Sequence, residues 1–372
     1  MTRLTKLLLP ALLLLGSCAP RLQAGPDALP MVQAVAEAAA VQLPADSDDP
    51  AIWVDEADPS RSFVIATRKL GGLTSFDLSG KTLQDYTPEN VRYNNVDLIR
   101  GFRLNGQTVD LAVASERLSD CIAVFVIDPQ TRQFREVTSP DTPMLFTPKG
   151  EKSDGKRKAY GLAAYRTAAG QARVLVTRNG YPTVGEWELF DDGKGVSARP
   201  VAVYTFPAEH QGLEVEDLQF EGMVVDPETG YAFLGQEQVG VWRLNLVTRE
   251  AHLIDQVTPV GQHLSTDVEG LTIARGKNGS GYLLVSSQGT DRYAVYDRRG
   301  ECYYGAFQIS KDSDLVTDSD GADITTANLG GRFAQGLLVV QDGDAGGVEK
   351  ATNFKLVAWE DVMRALNLPA LR

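Results

Sequence analysis

Acidic and amide side chains recur in this 372-residue chain at one kind of place, the start of a short apolar run. They are Asp48, Asp49, Asn94, Asn95, Asp97, Glu221, Asp267, Glu269, Asp318, Asp320 and Asp323, while Glu237, Gln288, Asp342 and Asn353 follow nearby runs. All offer hard oxygen donors, a set that suits Ca²⁺ far better than Zn²⁺. Brought together, the carboxylates would repel one another unless cations sat between them. Any single Asp or Asn is accounted for as a turn cap. Recurrence raises them to candidate metal ligands, above all Glu221-Gly222 and Asp267-Val268-Glu269-Gly270, which occupy equivalent positions.

Other chemistries lack their residues. The three histidines, His210, His252 and His263, are scattered, and no Arg-His-Gly run is present. There is no His-Glu-x-x-His for zinc and no Gly-x-Ser-x-Gly nucleophile elbow. Neither Cys121 nor Cys302 is followed by an arginine six positions on. Nucleophilic catalysis by Ser, Cys or His is thereby disfavoured, and an enzyme of this composition would use a metal-held water.

The elements that must position these groups repeat about every 50–60 residues, six times. The repeats open at Asp49-Pro50-Ala51-Ile52, Asn95-Val96-Asp97-Leu98, Tyr160-Gly161-Leu162, Glu221-Gly222-Met223, Glu269-Gly270-Leu271 and Asp320-Gly321-Ala322-Asp323. Each later carries an aromatic-rich strand, such as Glu186-Trp187-Glu188-Leu189 or Val241-Trp242-Arg243-Leu244. Period-2 alternation in 63–67, 108–114, 173–177, 231–235, 282–286 and 337–341, punctuated by Gly, Asp and Pro, reads as half-buried strands. A period of that length predicts an all-β, six-bladed β-propeller. Equivalent strand ends then meet on one axis, and five of the six openings bring a carboxylate there. The last repeat is one strand short and 47–54 precedes a full first blade, so this N-terminal strand is expected to complete the last blade and remove an exposed edge. A short helix is expected over 360–366.

Residues 1–18 read as an export signal: Arg3 and Lys6, an apolar stretch too short to span a bilayer, then Leu15-Gly16-Ser17-Cys18. That ending resembles a bacterial lipobox, which implies a lipid anchor on Cys18 and an exported, membrane-tethered or cell-surface protein. Cleavage near Ala24 is the alternative. Residues 19–45 read as a stalk with a helical turn within 32–41, and 46–372 as one domain. Cys121 and Cys302 are expected as two buried thiols. The formal net charge of −13 argues against nucleic acid as a partner and would repel a polyanion unless cations bridged the two. A closed propeller needs no partner, so a monomer is expected.

In Asp48-Asp49-Pro50-Ala51-Ile52-Trp53, Tyr93-Asn94-Asn95-Val96-Asp97-Leu98, Ala114-Ser115-Glu116-Arg117, Glu221-Gly222-Met223, Asp267-Val268-Glu269-Gly270, Ser286-Ser287-Gln288-Gly289 and Asp318-Ser319-Asp320-Gly321 the chain resembles the β-propeller phytases, from about residue 46 to 360. The resemblance implies calcium-dependent release of inorganic phosphate from phytate, of the 3-phytase type, by attack of a metal-bound water. It implies calcium ligands at Asp48, Asp49, Asn94, Asp97, Glu221, Glu237, Asp267, Glu269, Gln288 and Asp320. Phosphate contacts are implied at Arg68, Lys69, Arg117, Tyr160 and Arg178, with Glu237 also at the reacting centre. Guanidinium and ammonium groups are suited to a phosphoryl oxygen.

Three positions depart from the family pattern: Arg68-Lys69 stands for Lys-Lys, Arg178-Asn179 for Lys-Glu, and Gln236-Glu237 for Glu-Glu. The missing carboxylates carry the expectation that one calcium ion is weakened or lost. Two alternatives stay open from the residues: another calcium-dependent propeller hydrolase of lactonase or phosphotriesterase type, and a non-catalytic phytate-binding protein.

Overall fold

The computed structural model describes residues 29–152, 157–347 and 350–371. Its strands form six sheets. The first blade comprises Ser47–Trp53, Phe63–Arg68, Gly72–Asp77 and Thr82–Tyr86, hydrogen-bonded in that order. Four blades repeat this meander, opening with Tyr93–Leu104, Ala159–Arg166, Phe220–Asp226 and Val268–Arg275. The sixth, Ala322–Thr325, Leu337–Asp342 and Ala351–Ala358, gains its outer strand from Ala36–Glu37. The first strands pack against one another in a closed ring, the sixth returning to the first. The chain is therefore a six-bladed propeller whose last blade is completed from the N-terminus, though by Ala36–Glu37 and not by the strand expected over 47–54, which is the innermost of the first blade.

The driving force is burial between blades. Six apolar clusters each join two neighbouring blades; Phe76, Phe354 and Leu356, for example, lie between the first and sixth. Alternating side chains put one face of every sheet against the next, and each buried Leu, Ile or Phe contributes about 1.5–3 kcal/mol.

Residues 31–42 do not form the expected helical turn. Met31–Gln33 adds in parallel to the outer strand Tyr303–Lys311 of the fifth blade, and Val41–Gln42 pairs with Ala351 and Thr352. This strap is held by the buried Lys355, whose Nζ lies 2.6 Å from Glu37 and from Asp314 and 3.1 Å from Asp342. The C-terminal helix spans Trp359–Ala365. Cys121 is a free thiol, as expected. The proposed export signal and Cys18 lie outside the described residues. No described helix is long and apolar enough to cross a membrane.

Candidate metal centre

Five of the six openings sit on β-bulges at the same register. Ser47 pairs with Arg68 and Pro50 with Ala66, so Asp48 and Asp49 together oppose Thr67. The same two-against-one arrangement places Asn94-Asn95 opposite Ser115, Tyr160-Gly161 opposite Thr177, Glu221-Gly222 opposite Gly235, and Glu269-Gly270 opposite Ser286. A bulge re-aims two consecutive side chains. The first of each pair (Asp48, Asn94, Tyr160, Glu221, Glu269) joins a buried polar cluster where the innermost strands begin. Second members, among them Asp49 and Asn95, line the axial channel.

Hydroxyls opposite the bulges staple neighbouring blades. Thr67 Oγ1 accepts from Asp49 N at 3.0 Å and donates to the carbonyl of Asn94. Ser115 Oγ accepts from Asn95 N at 3.2 Å and donates to the carbonyl of Tyr160. Thr177 Oγ1 accepts from Gly161 N at 2.8 Å, a bond within the third blade. The blades approach so closely here that a Cβ on Gly161 would lie 1.9 Å from the carbonyl oxygen of Glu221, and one on Gly222 2.1 Å from that of Glu269. The Glu-Gly pairs in the sequence have this cause.

Glu221, Glu237 and Glu269 each bring a carboxylate oxygen within 4.8 Å of the other two. Tyr160 Oη donates to Glu221 Oε2 and Asn94 Nδ2 to Glu221 Oε1. Arg117 donates to Asn94 Oδ1 at 3.2 Å, its guanidinium 4.5 Å from the Tyr160 ring centre. Lys69 Nζ bridges Asp320 at 2.8 Å and Asp46 at 3.0 Å, and Gln288 Nε2 donates to Asp320 Oδ1 at 2.7 Å.

The electrostatics are those of an under-neutralised site. Burial pushes the Asp48 carboxyl well above its ordinary range; Lys69 opposes this, while Glu221 and Asp320 reinforce it. Burial does the same at Glu269, reinforced by Glu221 and Glu237. Glu237 is pushed up to about 8 by burial and then Glu221. Asp320 reaches about 6, with burial partly offset by Lys69. Burial works against the Lys69 ammonium, but Asp48, Asp320 and Asp46 outweigh it and raise its pKa. Both oxygens of Asp48 and Oε2 of Glu269 are buried without a hydrogen-bond partner. Orphaned carboxylate oxygens in an all-oxygen donor set fit a hard divalent cation.

Of the residues singled out in the sequence, Asp48, Lys69, Asn94, Arg117, Tyr160, Glu221, Glu237, Glu269, Gln288 and Asp320 are brought together. The others bond elsewhere, although the charge of Asp49 still acts on Asp48 and that of Asp267 on Glu237. Asp49 and Asp97 face the channel, a cavity of about 570 Å³ that also holds Asp323. There each accepts a backbone N–H from the next blade: Asp49 from Val96 at 3.0 Å, Asp97 from Ala164 at 2.7 Å, Asp323 from Ile52 at 2.8 Å. Burial, then Asp323, raises Asp97 to about 7. Arg68 turns to Asp85 at 2.9 Å, Arg178 stacks 3.6 Å above the Tyr181 ring, and Asp267 accepts from Gln238 at 2.6 Å. Gln236 does not face the cluster: its amide donates to Leu218 O at 2.7 Å and accepts from Trp242 Nε1 at 2.8 Å. The sequence reading missed Asp46, Gln219 and the hydroxyls Thr67, Ser115 and Thr177. The hydroxyls had a signal, a Ser or Thr recurring one residue before Arg68, Glu116 and Arg178.

A family profile described as Phytase matches residues 2–369. A 3-phytase of Bacillus subtilis (strain 168) is 34% identical over 331 residues, covering 86% of this chain and 81% of that protein. Among solved structures, the computationally designed Ika8 protein aligns over 84% of this chain and 70% of its own at 11% identity, with a TM-score of 0.39, too low to bear on the fold. Extent of match, identity and a propeller whose axial end gathers carboxylates with basic groups agree: the chain belongs to the phytase family.

Proposed function

We propose that the protein releases inorganic phosphate from phytate at the axial cluster, with calcium as its metal. The observation that carries this reading is the set of orphaned oxygens on Asp48 and Glu269 beside Glu221, Glu237 and Asp320. These residues would hold the cations. A calcium ion held there would supply the positive charge that offsets the carboxylates and polarises a phosphoryl oxygen. That resolves the charge problem of a chain with net charge −13 and a polyanionic substrate. Lys69 and Arg117 stand at the cluster edge with donors for phosphate oxygens. Tyr160, held on Glu221, fixes that carboxylate and the face on which Arg117 rests.

Hydrolysis breaks one P–O ester bond: phosphorus takes the oxygen of water and the inositol oxygen takes a proton. Export, lipid attachment at Cys18 and a monomeric state belong to the same reading, supported by residues 1–18 and by the closed ring of blades. Labelling of Cys18 by a radioactive fatty acid in growing cells tests the anchor. Phosphate release from phytate by purified protein, with added Ca²⁺ and with chelator, tests the activity. Calcium-dependent release is expected; no release with calcium bound would overturn it.

A further inference from the structure

Beside Glu237 lies a hydrogen-bonded chain of which the sequence singled out Asn179 alone, as a missing carboxylate. Gln219 leaves the short 3₁₀ turn Val215–Leu218 and leads into the innermost strand Phe220–Asp226 of the fourth blade. Its Nε2 donates to both oxygens of Glu237, at 2.7 and 2.9 Å. Its Oε1 accepts from Asn179 Nδ2 and from Gly180 N, both at 2.8 Å. The Gly180 backbone N–H can only donate, so the atom facing it must be the amide oxygen. The NH₂ is thereby forced toward Glu237. Asn179 adds a second donor from the third blade, on the turn that also carries Arg178 and Tyr181.

Glu237 needs such support, because it lies within 4.8 Å of two like charges that would turn it away. A neutral donor on both its oxygens restrains rotation without adding a cation, and the outer lone pairs stay available. We propose that Gln219, set by Asn179 and Gly180, is a positioning residue that holds the Glu237 carboxylate toward Glu221 and Glu269 for cation binding. This rests on the calcium reading above and deepens it. Loss of a group that orients a metal ligand typically costs about 10- to 100-fold in metal affinity.

The test is calcium titration of phytate-free protein by calorimetry, with phosphate release measured in parallel. Gln219→Met keeps side-chain length and removes the amide; it should weaken calcium binding about tenfold or more. Asn179→Ala should act in the same direction by less, because Gly180 still sets the amide, and it guards against a folding defect at Gln219. The double variant should bind no more weakly than Gln219→Met alone, since both changes act through one carboxylate. Wild-type calcium affinity in Gln219→Met, or losses that add fully in the double variant, would overturn the proposal. Failure of the wild-type protein to bind calcium would instead sink the calcium reading.

Discussion

At the scale of the residue, Glu221 has the most demanding position. It is buried, takes Tyr160 and Asn94 on its two oxygens, and shares space with Glu237 and Glu269. Glu221→Ala should lower phosphate release about 10²–10³-fold at saturating calcium, as expected when a group organising charge at the reacting centre is lost. Full activity in a steady-state assay would remove it from the site. Arg117 is held by Asn94 and the Tyr160 ring rather than by a carboxylate, so its donors remain available to an anion. Arg117→Ala should lower kcat/KM about 10- to 100-fold, the scale of a charged hydrogen bond, while calcium affinity by calorimetry changes little. A wild-type kcat/KM would show that Arg117 does not contact substrate.

Elements act here through the bulge and what stands opposite it. Thr177 is fully buried and its hydroxyl satisfies Gly161 N beside Tyr160. Thr177→Val should cost about 1–3 kcal/mol in urea unfolding, because it leaves a buried N–H unpaired; an unchanged midpoint would mean this bond is not needed. Gly222→Ala tests the close approach of the fourth and fifth blades, since the added methyl meets the Glu269 carbonyl at 2.1 Å. Overpacking of this kind costs about 1–3 kcal/mol, and spreading these strands separates Glu221 from Glu269. Phosphate release should therefore fall together with stability, and retention of both would contradict the packing.

The whole molecule carries a pH signature. Asp320 is raised to about 6, Asp97 to about 7 and Glu237 to about 8, from ordinary values of 3.8, 3.8 and 4.5. Between those limits the folded state holds more protons than the unfolded chain, so stability falls as pH rises. Calcium needs the ionised carboxylates, so its stabilisation grows over the same interval. In chelator the melting midpoint should fall from pH 5 to pH 8, and the gain on adding calcium should be larger at pH 8. A calcium-induced shift that does not change with pH would contradict the buried-carboxylate account.

The repeat period, the period-2 strands and the recurring acid-Gly openings specified the propeller, its blade boundaries and most of the cluster from the sequence alone. Local pattern suffices there, because each blade is a meander whose alternation and turn residues are written in its own residues. The residue pair Asp48-Asp49 shows where that ends. Adjacent in the chain and identical in type, the two diverge, one into the cluster and one into the channel, because a bulge places both opposite Thr67. The strap over residues 31–42 was likewise hidden, since its alanine-rich composition reads as helix or stalk while pairing partners some 270 residues and more away hold it extended. Composition and spacing determined which side chains exist to meet a cation. Only the closing of six blades around one axis decided which meet, because register and neighbour contacts are set between distant strands and not within any one of them.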